Sequence, residues 1–277
     1  MALNSVNTNV GAMVALQNLS ITNSELQTVQ SRINTGKVVS SAKDNGAIFA
    51  IATSQRAEVS ALGAVKDSLN RGQSAVDVAL SAGESVSDLL GQLKEKALSA
   101  TDKSLTTSAR AALNEDFKAI RDQIATVVSN AKFNGVNLLD NSTGTGGYKA
   151  LANTSGTTIK VAGENLSLGG ANVTVTATMT IGTSTLAGTA LAAVNASIDK
   201  VSASLARLGT GSKSFGTHLN FVGKLQDTIE AGVGNLVDAD LAKESARLQA
   251  LQTKQQLGVQ ALSIANSSTS TLLGLFR

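Results

Sequence analysis

The 277-residue sequence contains no cysteine, proline or tryptophan, and aromatic residues make up only 3% of it. Without cysteine the chain has no disulfides and no thiolate metal ligands. Without proline, no helix interior is broken by a missing backbone N–H. The fold must therefore be stabilised by packing of aliphatic and small side chains, and long uninterrupted helices are allowed.

Charge and hydropathy exclude several classes of protein. The net charge of +3 comes from Lys and Arg residues that are scattered singly, a pattern that disfavours nucleic-acid binding. No apolar run approaches the ~18 residues of a membrane span, so we expect no membrane insertion. The first ten residues lack the basic and apolar regions of a cleaved secretory signal, so we expect the N-terminus to be kept on export.

Catalysis is also disfavoured. His218 is the only histidine and there is no cysteine, so a Cys/His metal site cannot be assembled. A lone polar histidine near a helix start is far more often solvated or hydrogen-bonded than catalytic. Asp238 and Asp240 fit the start of a helix, where carboxylates meet the positive end of the dipole, better than acid–base chemistry. We predict that the protein is not an enzyme and has no cofactor.

Apolar residues recur at steps of three, four or seven along most of the chain, which is typical of helices. The first helix is predicted over residues 4–34, and Ser41 with Asp44 has the spacing of a capping box that restarts a helix. A second helix ends near Leu98, and a third starts from a cap at 106–108. Further stripes follow residue 186, with a pause predicted at 209–216.

Residues 141–185 have a different character, rich in Gly, Thr, Ser and Asn. Apolar residues at 173, 175, 177, 179 and 181 alternate with threonines, which predicts a β-strand. Ile159 and Val161 begin another candidate strand. We expect this segment to be a small β-structured projection from a helical frame, dispensable for assembly.

The two ends of the chain are almost uncharged. Residues 1–31 contain one charged side chain, Glu25, and residues 255–276 contain none. Burying about eight apolar side chains of the first helix gives at most ~12–24 kcal/mol, whereas ordering about thirty residues costs ~1–2 kcal/mol each. The ends either form a simple intramolecular pair with wet outer faces or are covered by partners. The missing charge favours partners, with the first helix folding fully only beside them.

Five segments resemble the bacterial flagellin family. Residues 33–52 (INTGKVVSSAKDNGAIFAIA) resemble the flagellin motif that follows the first helix, and residues 133–139 (FNGVNLL) resemble the turn that opens the variable region. The C-terminal signature is matched by residues 238–244 (DADLAKE), 255–258 (QQLG) and 272–277 (LLGLFR).

The resemblance implies a mainly α fold, a long helical hairpin or coiled-coil bundle formed by both chain ends and the middle helices, with a small β-structured insert. The chain ends pair as the inner core of a filament. The implied divisions are an N-terminal inner-core helix (1–40), two halves of an outer helical domain (41–140 and 186–235), a variable β insert (141–185) and a C-terminal inner-core helix (236–277).

The implied function is that of a structural subunit of the flagellar filament, self-assembling for swimming motility and secreted by type III export to an extracellular filament. Its implied partners are further copies, paralogous flagellins, cap and hook-associated proteins, the export apparatus and an export chaperone. The alternatives are a hook–filament junction protein and a membrane-surface protein with amphipathic helices. We predict that the assembly interface is formed by the apolar stripes of the two ends, namely Val10, Met13, Leu16, Leu19, Leu26, Val29, Ile33, Leu248, Leu251, Leu262, Leu272, Leu273 and Phe276.

Overall fold

The computed structural model describes residues 8–274, apart from the side chains of residues 143–145 and 268–274. Most of this part of the chain is helical, which confirms the mainly α class with a small β-structured segment. Its α-helices are α1 (Val10–Thr35), α2 (Gly46–Ala100), α3 (Thr107–Asn130), α4 (Ser184–Val237) and α5 (Leu241–Gly274). Its strands are β1 (Lys132–Phe133), β2 (Val136–Asn137), β3 (Tyr148–Leu151) and β4 (Thr158–Val161), with a 3-10 helix at Asn141–Gly146.

The chain forms two compact units. Unit 1 takes the residues up to 57 and from 228 onward, and unit 2 takes residues 58–227. The boundaries between the units therefore fall inside α2 and α4, whereas the sequence suggested divisions after residues 40 and 235. Assignment of the five sequence segments to inner and outer parts of a filament stays a prediction.

Polar side chains cap several of the helices. Asn9 accepts a hydrogen bond from the backbone N–H of Ala12 and caps α1. The helix was predicted from residue 4, and residues 4–7 lie outside the described part of the chain. Thr106 caps α3, as the sequence indicated. Asp240 accepts from the N–H groups of Ala242 and Lys243 in the first turn of α5, so its carboxylate lies at a helix start as predicted. Asp238, predicted with it, directly follows the end of α4 instead.

The segment between α1 and α2 is held in unit 1 by backbone contacts with the end of α4. The N–H of Val38 donates to the carbonyl of Val237 over 2.7 Å, and the N–H of Ala239 donates to the carbonyl of Gly36 over 2.9 Å. Val39, Ala52, Val233 and Val237 form a small buried cluster there.

The predicted capping box at Ser41 and Asp44 forms a turn instead of a helix start. The Asp44 carboxylate accepts hydrogen bonds from the backbone N–H groups of Ser41 and Ser40, and these hold its pKa below the ordinary value. The helix begins later, at Gly46, where Asn45 accepts from the N–H of Ile48.

The turn at residues 133–135 is the hairpin that the sequence indicated. β1 and β2 pair antiparallel around Asn134 and Gly135, whose φ angles are 49° and 82°. Two consecutive positive φ values are the requirement of a tight I′-type hairpin turn, which Asn-Gly meets at low cost.

The predicted pause at residues 209–216 is wrong, because α4 is continuous from Ser184 to Val237. Glycine serves here to let another segment approach. A Cβ at Gly211 would lie 2.6 Å from a methyl carbon of Val161 in β4, closer than real side chains come. Gly211 therefore marks a packing site and not a helix end.

The predicted strand over residues 173–181 is also wrong. The alternation identified only some of the buried positions, since Val173, Val175 and Ile181 are fully buried whereas Ala177 is exposed. Among the described residues, however, no strand pairs with the segment, and Val173 forms only an isolated bridge with Leu168. Thr174 instead bonds to α4 through Ser197 and the carbonyl of Ala193. β4, which contains Ile159 and Val161, pairs antiparallel with β3 and confirms the other candidate.

The segment between β2 and α4 packs onto the helices of unit 2, so the expectation of a projection is wrong. The N–H of Leu151 donates to Ser68 of α2, and the N–H of Ile181 donates to Asn114 of α3. Leu166, from the same segment, is fully buried. Removal of residues 141–185 would therefore expose the core of unit 2.

An ion pair fixes this segment to α4. Both carboxylate oxygens of Glu164 accept from the Arg207 guanidinium, over 2.7 and 2.6 Å. Burial acts to raise the pKa of Glu164, but the hydrogen bonds from Arg207, Ser204 and Asn172 outweigh burial and leave that pKa below its ordinary value.

We predict opposite effects for two glycine substitutions in α4. Gly211→Ala should lower the free energy of unfolding of unit 2 by about 1–3 kcal/mol, because the new methyl group meets the stiff, buried Val161 side chain. Gly209→Ala, which meets nothing within 4 Å, should raise it by about 0.5–1 kcal/mol. Denaturant unfolding followed by circular dichroism measures both, and equal effects would show that the approach of Val161 is not the constraint.

Candidate assembly interface

The two terminal helices pack against each other within one chain. Along α5 from residue 241 to 267, only positions spaced alternately by four and three residues are buried or half-buried, and all others are exposed. The matching positions of α1 have the same spacing. We call these positions the seam: Ala12, Ala15, Leu19, Thr22, Leu26, Val29 and Ile33 with Glu244, Leu248, Leu251, Gln255, Gly258, Leu262 and Ala265.

Three polar contacts fix the antiparallel direction of the two helices. The Asn9 side chain donates to the carbonyl of Ala265 over 2.8 Å, and Gln255 donates to Asn23 over 2.7 Å. Near the other end, Arg32 pairs with the largely buried Glu244 over 3.2 Å. The spacing of alternately three and four residues is that of a coiled-coil seam.

The seam is thin near the chain termini. Val29 and Leu251 are almost fully buried, at 1% and 6% exposure. Toward the termini the seam contains Ala12, Ala15 and Gly258, whose small side chains bring the helices close but bury little apolar area. This half of the pair is therefore the less able to hold itself together.

A second set of apolar side chains points away from the seam. Val10, Val14 and Ile21 are spaced by four and seven residues, which places them on one face of α1, about 120° of rotation from the seam. Exposure in the whole set runs from 49% at Ile21 to 70% at Ile264. We call these residues the outward set: Val10, Met13, Val14, Leu16 and Ile21 of α1 with Leu257, Val259 and Ile264 of α5.

The residues predicted as one interface fall into three groups. Leu19, Leu26, Val29, Ile33, Leu248, Leu251 and Leu262 lie in the intramolecular seam. Val10, Met13 and Leu16 belong to the outward set. Leu272 and Leu273 lie in α5 but their side chains are outside the described part of the chain, and Phe276 lies outside the described residues altogether.

The predicted interface does not include five members of the outward set, namely Val14, Ile21, Leu257, Val259 and Ile264. The spacing of apolar residues could have indicated this face of α1, because a step of four residues from Val10 reaches Val14 and a further step of seven reaches Ile21. It was hidden because steps of three from Val10 reach Met13, Leu16 and Leu19, which merged two helix faces into one stripe.

Other kinds of site find little support among the described residues. No group of acidic and histidine side chains there has the arrangement to hold a metal ion. His218 Nε2 lies 2.6 Å from the carbonyl oxygen of Ala152. No helix in the described range combines the length and apolar character that a membrane span needs.

Comparison with known proteins identifies the family. The family model of the bacterial flagellin N-terminal helical region matches residues 6–144, and that of the C-terminal helical region matches residues 191–276. The chain belongs to the bacterial flagellin family. Flagellins FljN and FljK of Caulobacter vibrioides are 60% and 58% identical to it over 277 residues, covering all of both chains. A Brucella melitensis flagellin is 39% identical over 281 residues and covers 99% of each chain.

Family membership gives the seam and the outward set a context. Flagellins are structural proteins, and the family assembles into filaments. The matched N-terminal region includes α1, and the matched C-terminal region includes α5. Both helices of the pair thus belong to the segments that define flagellins.

We predict that two leucines of α5 differ in their effect on the unassembled chain. Leu251→Ala should destabilise the α1–α5 pair by about 2–4 kcal/mol, because Leu251 is buried in the seam. Leu257→Ala, at 60% exposure, should cost less than about 0.5 kcal/mol. Amide hydrogen exchange of α1 in the monomer measures the difference. Equal protection in the two variants would contradict the seam assignment.

Proposed function

We propose that copies of this chain assemble through the outward set of α1 and α5, joined by Leu272, Leu273 and Phe276 at the end of the chain. As a flagellin, the chain is a structural subunit of the bacterial flagellar filament. The seam residues act indirectly, because they hold the two outward faces in position. The outward set makes the contacts between copies.

One observation carries the proposal: side chains that are apolar and exposed lie on the parts of α1 and α5 that have almost no charge. An exposed helix normally covers its outer face with charged residues. Here the first 31 residues hold only Glu25, and residues 255–276 hold none. Exposure of these faces to water is therefore unfavourable, and burial against a protein surface of similar character is favourable.

The free energies involved indicate that one contact between two copies is not enough for stable association. The eight side chains of the outward set are each about half exposed, and covering them completely would contribute on the order of 10 kcal/mol per copy. Association of two molecules costs ~4–15 kcal/mol in lost freedom and ordering. A copy that meets several neighbours loses this freedom only once. We therefore expect growth on existing filament ends and little dimerisation.

The two outward faces lie on different helices, so a contact between copies can join two different surfaces. A contact between α1 of one copy and α5 of another is heterologous, and such a contact propagates without closing when its rotation does not generate a ring. This is the kind of contact that an open-ended filament needs.

The remaining roles follow from the family and are also proposals. We infer that the chain is exported by a type III system, aided by an export chaperone, and that it meets cap and hook-associated proteins at the filament end outside the cell. We also infer that it has no catalytic role. The junction-protein and membrane-surface alternatives are not favoured, since relatives matching all or nearly all of both chains are flagellins.

We predict that Val14→Asp or Ile264→Asp abolishes seeded polymerisation, because each places a carboxylate in a contact that should exclude water. The helicity and the unfolding of the monomer should hardly change, since both positions are more than half exposed. Light scattering with filament seeds, followed by electron microscopy, measures assembly.

A matched control is Leu186→Asp, which replaces an exposed leucine of unit 2, 46% exposed, by the same residue. It should polymerise like the parent chain. If Val14→Asp and Ile264→Asp also polymerise like the parent, then the outward set is not the assembly surface.

A further inference from the structure

Glu25 is an isolated charge in an otherwise uncharged segment. It is the only charged residue among the first 31, and it is half-buried on α1. Within the described part of the chain it forms no ion pair, whereas the nearby Arg32 is paired with Glu244. A carboxylate that becomes covered on assembly must find a cation or hydrogen-bond donors, because leaving it unpaired is costly.

Cations without acidic partners are available on α5. Lys243, Arg247 and Lys254 are exposed and are spaced by four and seven residues, so they follow one side of the helix. None of the three forms an ion pair with another described residue. Lys254 is the nearest of them to the uncharged end of α5, and it precedes Leu257 of the outward set.

The order of side chains on the two outward faces is complementary. On α1, Val14, Ile21 and Glu25 follow at intervals of seven and four residues, within about 40° of helix rotation. On α5, read in the opposite direction, Ile264, Leu257 and Lys254 follow at intervals of seven and three residues. At 1.5 Å per residue, these intervals are about 10.5 and 6 Å on α1 and about 10.5 and 4.5 Å on α5.

The intramolecular pair shows that this alignment suits the two helices. In the seam, Leu19 meets Gly258, and Asn23 is hydrogen-bonded to Gln255. An antiparallel contact with a similar register places Val14 opposite Ile264, Ile21 opposite Leu257, and Glu25 beside Lys254. The outward faces thus repeat the alignment of the inward ones.

We propose that the outward face of α1 in one copy binds the outward face of α5 in a second copy in this antiparallel register, with Lys254 donating to the Glu25 carboxylate. The inference rests on the proposed function and adds its register. Apolar contacts alone leave the register open, because a slip of seven residues would still place Val14 opposite Leu257. The ion pair selects one register, as flanking charges do in coiled coils.

Charge reversal tests the proposal. Glu25→Lys and Lys254→Glu should each raise the critical concentration for seeded polymerisation at least about tenfold, because like charges then meet at the contact. An equimolar mixture of the two variants should polymerise nearly as well as the parent. Where the two variants alternate in the polymer, every lysine at position 25 meets a glutamate at position 254, and every glutamate at position 25 meets a lysine at position 254.

The double variant Glu25→Lys with Lys254→Glu should also polymerise, since it restores opposite charges. Rescue in the double variant without rescue in the mixture would mean that the pair forms within one chain, and it would overturn the proposal. So would failure of both rescues. Equal helicity of all variants by circular dichroism confirms that assembly, and not folding, has changed.

Arg247→Glu is the matched control, as it reverses a neighbouring charge on the same side of α5. Alone it should leave the critical concentration within about twofold of the parent value, as expected for a charge outside the contact. If Arg247→Glu, and not Lys254→Glu, rescues Glu25→Lys, the proposed register is wrong. These outcomes are separate from the proposed function, which fails only if Val14→Asp and Ile264→Asp still polymerise.

Discussion

The antiparallel seam between α1 and α5 is the contact on which the arrangement of the assembly surface depends. It brings together two helices that are separated by most of the chain, and it determines which of their side chains remain exposed. Small residues such as Ala12, Ala15 and Gly258 allow close approach but leave little apolar area in the seam itself. The helices therefore have apolar surface left over, and the outward set consists of it.

The two units differ in how they meet the need for a core. Unit 2 buries large side chains such as Phe117, Phe215 and Leu69, and the segment between β2 and α4 fills the spaces between its helices. Its surface carries ordinary exposed ion pairs, among them Lys96 with Asp116. Unit 1 has a thin seam, few charges near the termini and a row of exposed aliphatic residues. A division of this kind suits a subunit in which one part folds by itself and the other is completed by neighbours.

Prediction from sequence succeeded where the signal is local. The caps at Thr106 and Asp240, the Asn134-Gly135 turn and the existence of the long helices depend on residues within a few positions of each other. Prediction failed where a distant segment decides. The glycines at 209–216 look like a helix break, yet α4 is continuous and Val161 packs against Gly211. The alternating residues 173–181 look like a strand, yet in the described part of the chain no strand pairs with them.

The sequence by itself determined that this chain is mainly helical, that its ends are almost uncharged, and that its motifs are those of a flagellin. It did not determine which apolar residues of the ends pack inside one copy. A helix with apolar residues on two sides has two faces that could form a seam, and sequence spacing through Val10, Met13, Leu16 and Leu19 runs across both. Only the position of α5 separates them, because its single regular row of buried positions can cover one face of α1 and must leave the other exposed.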